Sequence, residues 1–328
     1  MSNLIRLTVF LFFFYSPFIS SAQKAVEDFK RKGIVKPFDY KESGKTNFKV
    51  LTWNVEHFVD YTDNPYIDHP REDMPLEAMN GRPELLLRAL QTANADIVVL
   101  QEFENVAFLQ ALVEDNLPDM GYKFFAAAES NDWYQNVVIM SKVPLGVFYQ
   151  YGQVTTPVPG ITTDAGVAET QNKINTRMWA VDVFVNDNYS FVLFGAHLKA
   201  GRSERDIAMR KGQITFLKGQ MERFLRENPT SNFLLMGDLN CEPDSEEIKM
   251  LLSGPEGVAL VDPLASTDVY THPSSMPNRR IDHILPNQHM AKELIKWSIT
   301  SPSILNAAEL VKLSDHLPLV AEFYSVDK

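Results

Sequence analysis

The chain has 328 residues, 45% of them hydrophobic and 22% charged, with a formal net charge of −11. That length supports a large core in one or two domains. The acidic balance excludes a protein that holds nucleic acid by a broad, salt-resistant electrostatic grip. It leaves open an enzyme that draws phosphate in through bound cations or a local basic patch.

Met1 to Arg6 carries one positive charge, Leu7 to Ile19 is mostly apolar, and Ser20-Ser21-Ala22 supplies small residues. This pattern predicts a secretory signal over residues 1–22, cut after Ala22, and a secreted or periplasmic mature protein. Pro17 and the shortness of the apolar run argue against a retained anchor. No other stretch is long and apolar enough to cross a bilayer, so no stable membrane insertion is expected after signal removal. The one cysteine, Cys241, permits no intrachain disulfide and reads as a packed small side chain.

Residues 23–46 are polar and mixed in charge, and read as a linker or N-terminal arm. Phe48 to Val55 then opens the domain as a strand whose end carries Asn54 and Glu56. Asp60 to Arg82 is rich in Asp, Asn, Pro and His and reads as a long loop. Pro83 opens a helix with Leu85, Leu86, Leu87, Leu90 and Ala93 on its buried stripe. Asp96 to Leu100 is a strand ending at Gln101-Glu102, followed by a second helix through Phe108, Leu109, Leu112 and Val113. Tyr122–Ala128 and Asn136–Met140 read as adjacent strands turning at Asn131-Asp132-Trp133, with another at Val147–Tyr151. Gly152 to Lys173, rich in Thr, Pro and Gly, reads as a loop.

Met178 to Val185 alternates as a strand, turns at Asn186-Asp187-Asn188, and returns over Ser190 to Phe194, ending at Gly195-Ala196-His197. Ser203 caps a helix with Asp206 as its capping-box acid. Ile207, Ile214, Leu217, Met221 and Phe224 give that helix its core face. Asn232 to Met236 is a buried strand ending in Gly237-Asp238-Leu239-Asn240. Glu246–Leu252 is a short helix, Ile281–Leu285 a strand, and Leu317–Phe323 the last strand. Many strands with few helices predict an α/β architecture of two packed sheets covered by helices. With no repeat and no second composition regime, residues 47–328 form one catalytic domain, expected to be monomeric.

The chemistry-bearing residues gather at strand ends: Asn54, Glu102, His197, Asp238, Asn240, Asp282, Asp315 and His316. Any one of them alone would be an ordinary turn residue. Carboxylates and amides without zinc-finger spacing favour a hard, oxygen-liking cation such as Mg²⁺, Mn²⁺ or Ca²⁺. Two histidines without a serine elbow favour proton transfer or phosphate contact over serine hydrolysis. There is no Walker loop and no dinucleotide fingerprint. His57 and His69 read as loop surface, and His283, next to Asp282 but on the opposite strand face, as core or interface.

Six stretches, in this order, resemble the endonuclease/exonuclease/phosphatase superfamily, the group of DNase I. They are Trp53-Asn54-Val55-Glu56, Gln101-Glu102, Gly195-Ala196-His197-Leu198, Gly237-Asp238-Leu239-Asn240, Arg280-Ile281-Asp282-His283-Ile284 and Ser314-Asp315-His316-Leu317-Pro318. The resemblance implies a four-layer αββα sandwich of two mixed β-sheets flanked by helices. It implies metal binding by Glu102, with Asn54 near metal or phosphate and Asp315 at a second or alternative position. It implies that Asp238 orients or deprotonates the attacking water, that Asn240 holds the phosphate, and that Asp282 fixes the His316 imidazole at the scissile group. His197 is similar to the second histidine of the DNase I branch, which protonates the leaving oxygen. Arg177 resembles a phosphate-contacting arginine, with Asn136 and Lys199 as further substrate contacts.

The expected function is a secreted Mg²⁺-dependent phosphodiesterase, with Mn²⁺ or Ca²⁺ as alternatives, acting as an endonuclease on DNA or RNA. The alternatives are a sugar-phosphate phosphatase, a phospholipase C-like or sphingomyelinase-like enzyme on a small or lipid phosphodiester, or a non-catalytic binding module. A sphingomyelinase would show an exposed aromatic hairpin, which the sequence lacks. A basic face built from Arg177, Lys199, Arg202, Arg205, Arg279 and Arg280 would favour nucleic acid. Scattering of those residues would favour a smaller ester.

Overall fold

The computed structural model describes residues 33–328 apart from Phe38, Ser43, Asn131 and Asp132. The expected signal segment, the start of the arm and two residues of the expected Asn131–Trp133 turn lie outside the described residues.

Strands that carry apolar residues on both faces are built to be covered on both sides. β1 (Asn47–Phe58) turns Phe48 and Val50 one way and Leu51 and Trp53 the other, all buried. β2 (Ile97–Phe103) and β4 (Asn136–Ser141) do the same. Together with β3 (Phe124–Ala127) and β12 (Leu319–Tyr324) they form one five-stranded sheet, in the order β12-β1-β2-β4-β3. The second sheet runs β11-β10-β9-β8-β5. Its strands are β5 (Leu145–Gln150), β8 (Met178–Asn186), β9 (Tyr189–His197), β10 (Phe233–Asp238) and β11 (Asp282–Pro286). Both sheets are mixed: β1–β2 and β9–β10 are parallel pairs and the other neighbours are antiparallel.

Three apolar layers hold the sheets together. Phe48, Val50, Val99 and Ile139 of the first sheet meet Trp179, Val181, Leu193 and Met236 of the second in the central layer. Helices α1 (Arg82–Ala93) and α2 (Val106–Asn116) cover the outer face of the first sheet through Leu86, Leu90, Leu109 and Val113. Helices α3 (Glu204–Glu227) and α4 (Glu246–Leu252) cover the second through Ile214, Leu217, Met221 and Ile248. Each such fully buried aliphatic side chain contributes about 1.5–3 kcal/mol of transfer free energy. The result is an αββα sandwich.

Three segments depart from expectation, the first being Asp60 to Arg82, where two one-turn helices, Pro70–Asp73 and Pro75–Ala78, interrupt the expected loop. Gly152 to Lys173 is not all loop: β6 (Thr156–Thr162) and β7 (Ala168–Gln171) pair into an antiparallel ribbon. Pro157, Pro159 and Gly160 hide its strand character, and it lies on α3, where a Cβ on Gly212 would fall 1.8 Å from the Pro157 carbonyl oxygen. A further helix, α5 (Ala307–Leu313), has a capping box formed by Asn306 and Glu309.

Topology places the site. Parallel strands β1, β2, β9 and β10 deliver their C-terminal ends to one edge of the sandwich. Antiparallel neighbours β11 and β12 deliver their N-terminal ends to the same edge. Register then sets His197, Asp238 and Asp282 side by side on β9, β10 and β11.

Candidate active site

At that edge the backbone leaves regular geometry. The β1–β2 register slips between Asn54 and Phe58, and the β2–β4 register slips between Gln101 and Phe103. Such bulges re-aim side chains. Glu56, His57, Glu102 and Asn240 all hold positive φ, at 50°, 47°, 59° and 52°. Strained non-glycine backbone of this kind persists where surrounding contacts over-determine it. Buried Arg82 supplies many of those contacts. Its guanidinium donates to the carbonyls of Val55 (2.7 Å), Glu56, His57 (3.2 Å) and Leu313 (2.8 Å), clamping the β1 bulge to α5. On the second sheet, Gly237 has φ 145° and its Cα passes so close to β9 that a Cβ would lie 1.9 Å from the Ala196 carbonyl oxygen. Only glycine fits there, so Asp238 is locked beside His197.

At this edge the Asn54 side chain ties the two sheets together. Asn54 Nδ2 donates to Glu102 Oε1 at 3.1 Å and to Asp238 Oδ2 at 3.0 Å. The Asn54 amide oxygen, expected near metal or phosphate, accepts from the Glu56 N–H at 2.9 Å. Glu102 also accepts from the His57 N–H (3.0 Å) and Gln135 Nε2 (2.8 Å). Burial works against its ionised form, yet His197, His57 and these donors together hold its carboxyl down at about 2. Asp238 Oδ1 accepts from the Asn240 N–H at 2.9 Å, and Asn240 Nδ2 donates to the Leu198 carbonyl at 3.1 Å. Burial pushes the Asp238 carboxyl up, while His316, His197 and Asn54 pull it back.

The two histidines are in opposite states. His316 Nδ1 lies 2.8 Å from Asp282 Oδ2, both side chains buried. Burial disfavours its cation, but Asp282 and Asp238 outweigh that and raise His316 to about 10. It is therefore an imidazolium at neutral pH. His197 is lowered, first by burial, despite having Asp238 and Glu102 beside it. Its Nε2 lies 3.7 Å from Asp238 Oδ2 and 3.8 Å from Glu102 Oε1, and His316 Nε2 also lies 3.7 Å from Asp238 Oδ2. These distances exceed hydrogen-bond length. Both Nε2 atoms are thus left to face a third group between them, with Asp238 as the shared carboxylate.

Asp315 is half exposed at the rim. Its backbone N–H donates to Glu56 Oε2 at 3.0 Å and its side chain faces His272 Nε2 at 3.6 Å and His316 Nε2 at 3.8 Å. Burial pushes its carboxyl up. Arg177 precedes β8. Burial lowers its pKa, and the charges of Glu102 and Asp238 act against that.

The structure thus brings together Asn54, Glu102, His197, Asp238, Asn240, Asp282, Asp315 and His316, with Arg177 beside them. It turns the other two expected substrate residues elsewhere. Asn136 is buried and donates to the Glu104 carbonyl. Lys199 binds Asp206 at 3.1 Å and the Ala200 carbonyl at 2.7 Å, next to the α3 cap. Conversely, His57 and His69, read as loop surface, stack on each other with ring centroids 4.6 Å apart, and His57 also contacts Tyr134. The His272 ring packs against His316 with centroids 4.9 Å apart and planes tilted by 60°. The strand pattern running through Trp53 to His57 was the available sign for His57, whereas His272 lies in a loop whose sequence gives none. His283 is buried with Nε2 2.9 Å from the Cys241 carbonyl, and Leu239 and Cys241 are core.

Side chains here have the composition and spacing to hold a cation. The ligand atoms of Asp238, Asp282 and His316, and those of His272, Asp315 and His316, lie within 4.8 Å of one another in each set, but the charged His316 has no lone pair to give, so the carboxylates and His272 are the ligands these sets offer. The ionised Glu102 carboxylate adds the oxygen chemistry that hard divalent cations prefer. No helix among the described residues is long and apolar enough to cross a membrane.

A family model described as Endonuclease/Exonuclease/phosphatase family matches residues 51–316. No curated protein matches the chain. Among solved structures, the fold is similar to truncated Caenorhabditis elegans TDP2, with TM-score 0.53 and 17% identity over 85% of this chain and 97% of that one. It is similar to the Neisseria 3′ phosphatase NExo bound to a product DNA hairpin, with TM-score 0.54 and 18% identity over 84% and 99%. It is also similar to the human Nocturnin catalytic domain with bound sulfate, with TM-score 0.51 and 19% identity over 85% and 94%. At these identities the likeness concerns the fold.

Proposed function

We propose a reaction from one premise: the chain belongs to the Endonuclease/Exonuclease/phosphatase family. It is a metal-dependent phosphoric ester hydrolase, and in our reading it is a secreted phosphodiesterase that cleaves DNA or RNA by in-line attack of water. The observation that carries the chemistry is the Asn54 amide joining Glu102 to Asp238, with the Asp282-bound His316 imidazolium facing Asp238 from the other side.

Each residue has a task that follows from its surroundings. Asp238, raised by burial, orients the attacking water and takes its proton. The His316 imidazolium, kept charged by Asp282, donates from Nε2 to the phosphoryl oxygen. His197, neutral and buried, is poised to pass a proton to or from the departing oxygen. Asn240 steadies Asp238 through its backbone N–H, and Arg177 meets the phosphate charge. Glu102, with Asp315 and Asn54 nearby, would hold Mg²⁺ or Mn²⁺, which supplies charge neutralisation on the phosphoryl oxygens worth several kcal/mol.

One observation favours a second reading, a small phosphoester. Four of the six basic residues that would line a nucleic-acid face are committed to partners: Arg205 to Glu169, Arg279 to Glu242, Arg280 to Asp262 and Lys199 to Asp206. Weak electrostatic capture follows, so a nucleic-acid substrate would be held locally, with a shallow salt dependence.

The deciding experiment offers plasmid DNA, RNA, bis-p-nitrophenyl phosphate and sphingomyelin side by side, with and without Mg²⁺ or Mn²⁺. Asp238→Asn and His316→Ala serve as blanks. Metal-dependent nicking that both blanks lack supports the nuclease. Turnover of the small diester or the lipid alone keeps the mechanism and discards nucleic acid. No turnover of any of them discards the phosphodiesterase reading.

A further inference from the structure

A second group of carboxylates lies outside the cleft, in the loop between β1 and α1. We propose that Asp63, Glu72 and Asp73 form a structural calcium site that braces this loop. Their ligand oxygens lie within 4.8 Å of one another. Two oxygens on opposite sides of one calcium ion stand about 5 Å apart, so the three fit around a single ion.

Proximity alone would not make a site, because surface carboxylates often cluster. The independent observation is Glu72. It is fully buried, although it lies in the one-turn helix Pro70–Asp73 of a polar segment. Its Oε1 accepts from the Asn64 N–H, but Oε2 is buried and has no hydrogen-bond partner among the described residues. A buried carboxylate oxygen with neither donor nor cation is strongly unfavourable. The largest side-chain charges acting on Glu72 do not relieve it: Asp63, Asp73 and Asp60 are all negative. Arg71, its neighbour in sequence, turns away to Glu56. Calcium suits the gap better than magnesium. Two of the three ligands are exposed, Asp63 on loop and Asp73 at the end of the one-turn helix Pro70–Asp73, and calcium accepts flexible coordination completed by water, where magnesium requires a near-ideal octahedron.

The site would act on the cleft through the chain itself. The same loop presents His69, stacked on His57, and Arg71, bound to Glu56, whose other oxygen takes the Asp315 N–H. An ion joining Asp63 to Glu72 and Asp73 closes the base of that loop and holds one wall of the catalytic cleft in place.

The test uses the full chain with Glu102→Gln and Asp238→Asn, so that cation binding in the cleft is suppressed. The metal is stripped with chelator, calcium is titrated, and melting temperature and protease nicking between residues 60 and 80 are followed. The expected result is a saturable rise in melting temperature with calcium and protection of the loop. Adding Glu72→Gln should weaken the apparent calcium affinity at least tenfold, and adding Asp63→Asn should do so by several fold. Asp63 is exposed, so Asp63→Asn should fold normally and remains decisive if Glu72→Gln does not fold. No calcium response in the cleft-silenced chain overturns the proposal, since a neutral Glu72 then holds the loop unaided. An undiminished response in Asp63→Asn also overturns it.

Discussion

Replacing Asp282 by Asn should move the activity of this enzyme toward acid. Asp282 is fully buried, and its Oδ2 lies 2.8 Å from His316 Nδ1. The amide keeps the shape and an acceptor oxygen but removes the charge that stabilises the imidazolium. Breaking a buried ion pair costs about 3–5 kcal/mol, and one pKa unit corresponds to about 1.4 kcal/mol. His316, at about 10 in the native chain, should therefore fall by about 2–4 units. At pH 8.5 it would be largely neutral, and the loss of a positioned acid lowers kcat by about 10²- to 10⁴-fold. Part of the rate should return near pH 6, where the ring is charged again. Stability should follow the same sign. A folded pKa raised above the ordinary histidine value contributes stability that is complete below about 6.5 and lost as pH rises through about 10. The variant should thus melt earlier than the native chain at pH 7, with the gap narrowing at high pH. The assay is kcat against pH from 6 to 9.5 on whichever ester the native enzyme cleaves, alongside melting curves. A variant with the native rate and pH profile would refute a charged His316.

Gly237→Ala should lose about 2–6 kcal/mol, from positive φ and from overlap with the Ala196 carbonyl. It should lose activity as well, because Asp238 and His197 flank the clash; native melting and turnover would show that β9 and β10 part without cost. Arg82→Met should leave the carbonyls of Val55, His57 and Leu313 without their donor, destabilising the chain by about 3 kcal/mol or more. Its residual activity should show a raised KM and a lowered kcat together, and an unchanged KM would separate the clamp from the cleft. Glu293→Gln tests burial far from the site. Burial pushes the Glu293 carboxyl up to about 7, while Tyr189 and Asn232 bond to it. Its contribution to stability is complete below the ordinary Glu value and lost as pH rises through about 7. The melting temperature of the variant relative to native should therefore climb between pH 5 and pH 8, and a flat difference would refute it.

The sandwich was legible because its strands are apolar on both faces, a pattern that only covered sheets tolerate. Val98-Val99-Leu100 and Leu234-Leu235-Met236 carried that message, and their polar ends marked the edge where the site forms. The ribbon β6–β7 was not legible, since Pro157, Pro159 and Gly160 look like loop until α3 supplies a surface to lie on. Asn54, Glu102, Asp238, Asp282 and His316 could be found because each interrupts an apolar run. Lys199 and Asn136, expected as substrate contacts, take partners that sequence does not reveal: Asp206 for one, the Glu104 carbonyl for the other. His272 was invisible, because its place depends on a loop returning to pack against His316.

The Asn54 bridge has a consequence for how the protein matures. Asn54 and Glu102 belong to one sheet and Asp238 to the other, while His316 arrives just before the closing strand β12 pairs with β1. Neither half of the chain contains a competent set. During synthesis the protein should remain inert until its final strand is in place, so a cell making it would not be exposed to its chemistry ahead of complete folding. Catalytic capability and structural completion arrive in one step, and recovered turnover should serve as a sensitive report that the two halves have docked.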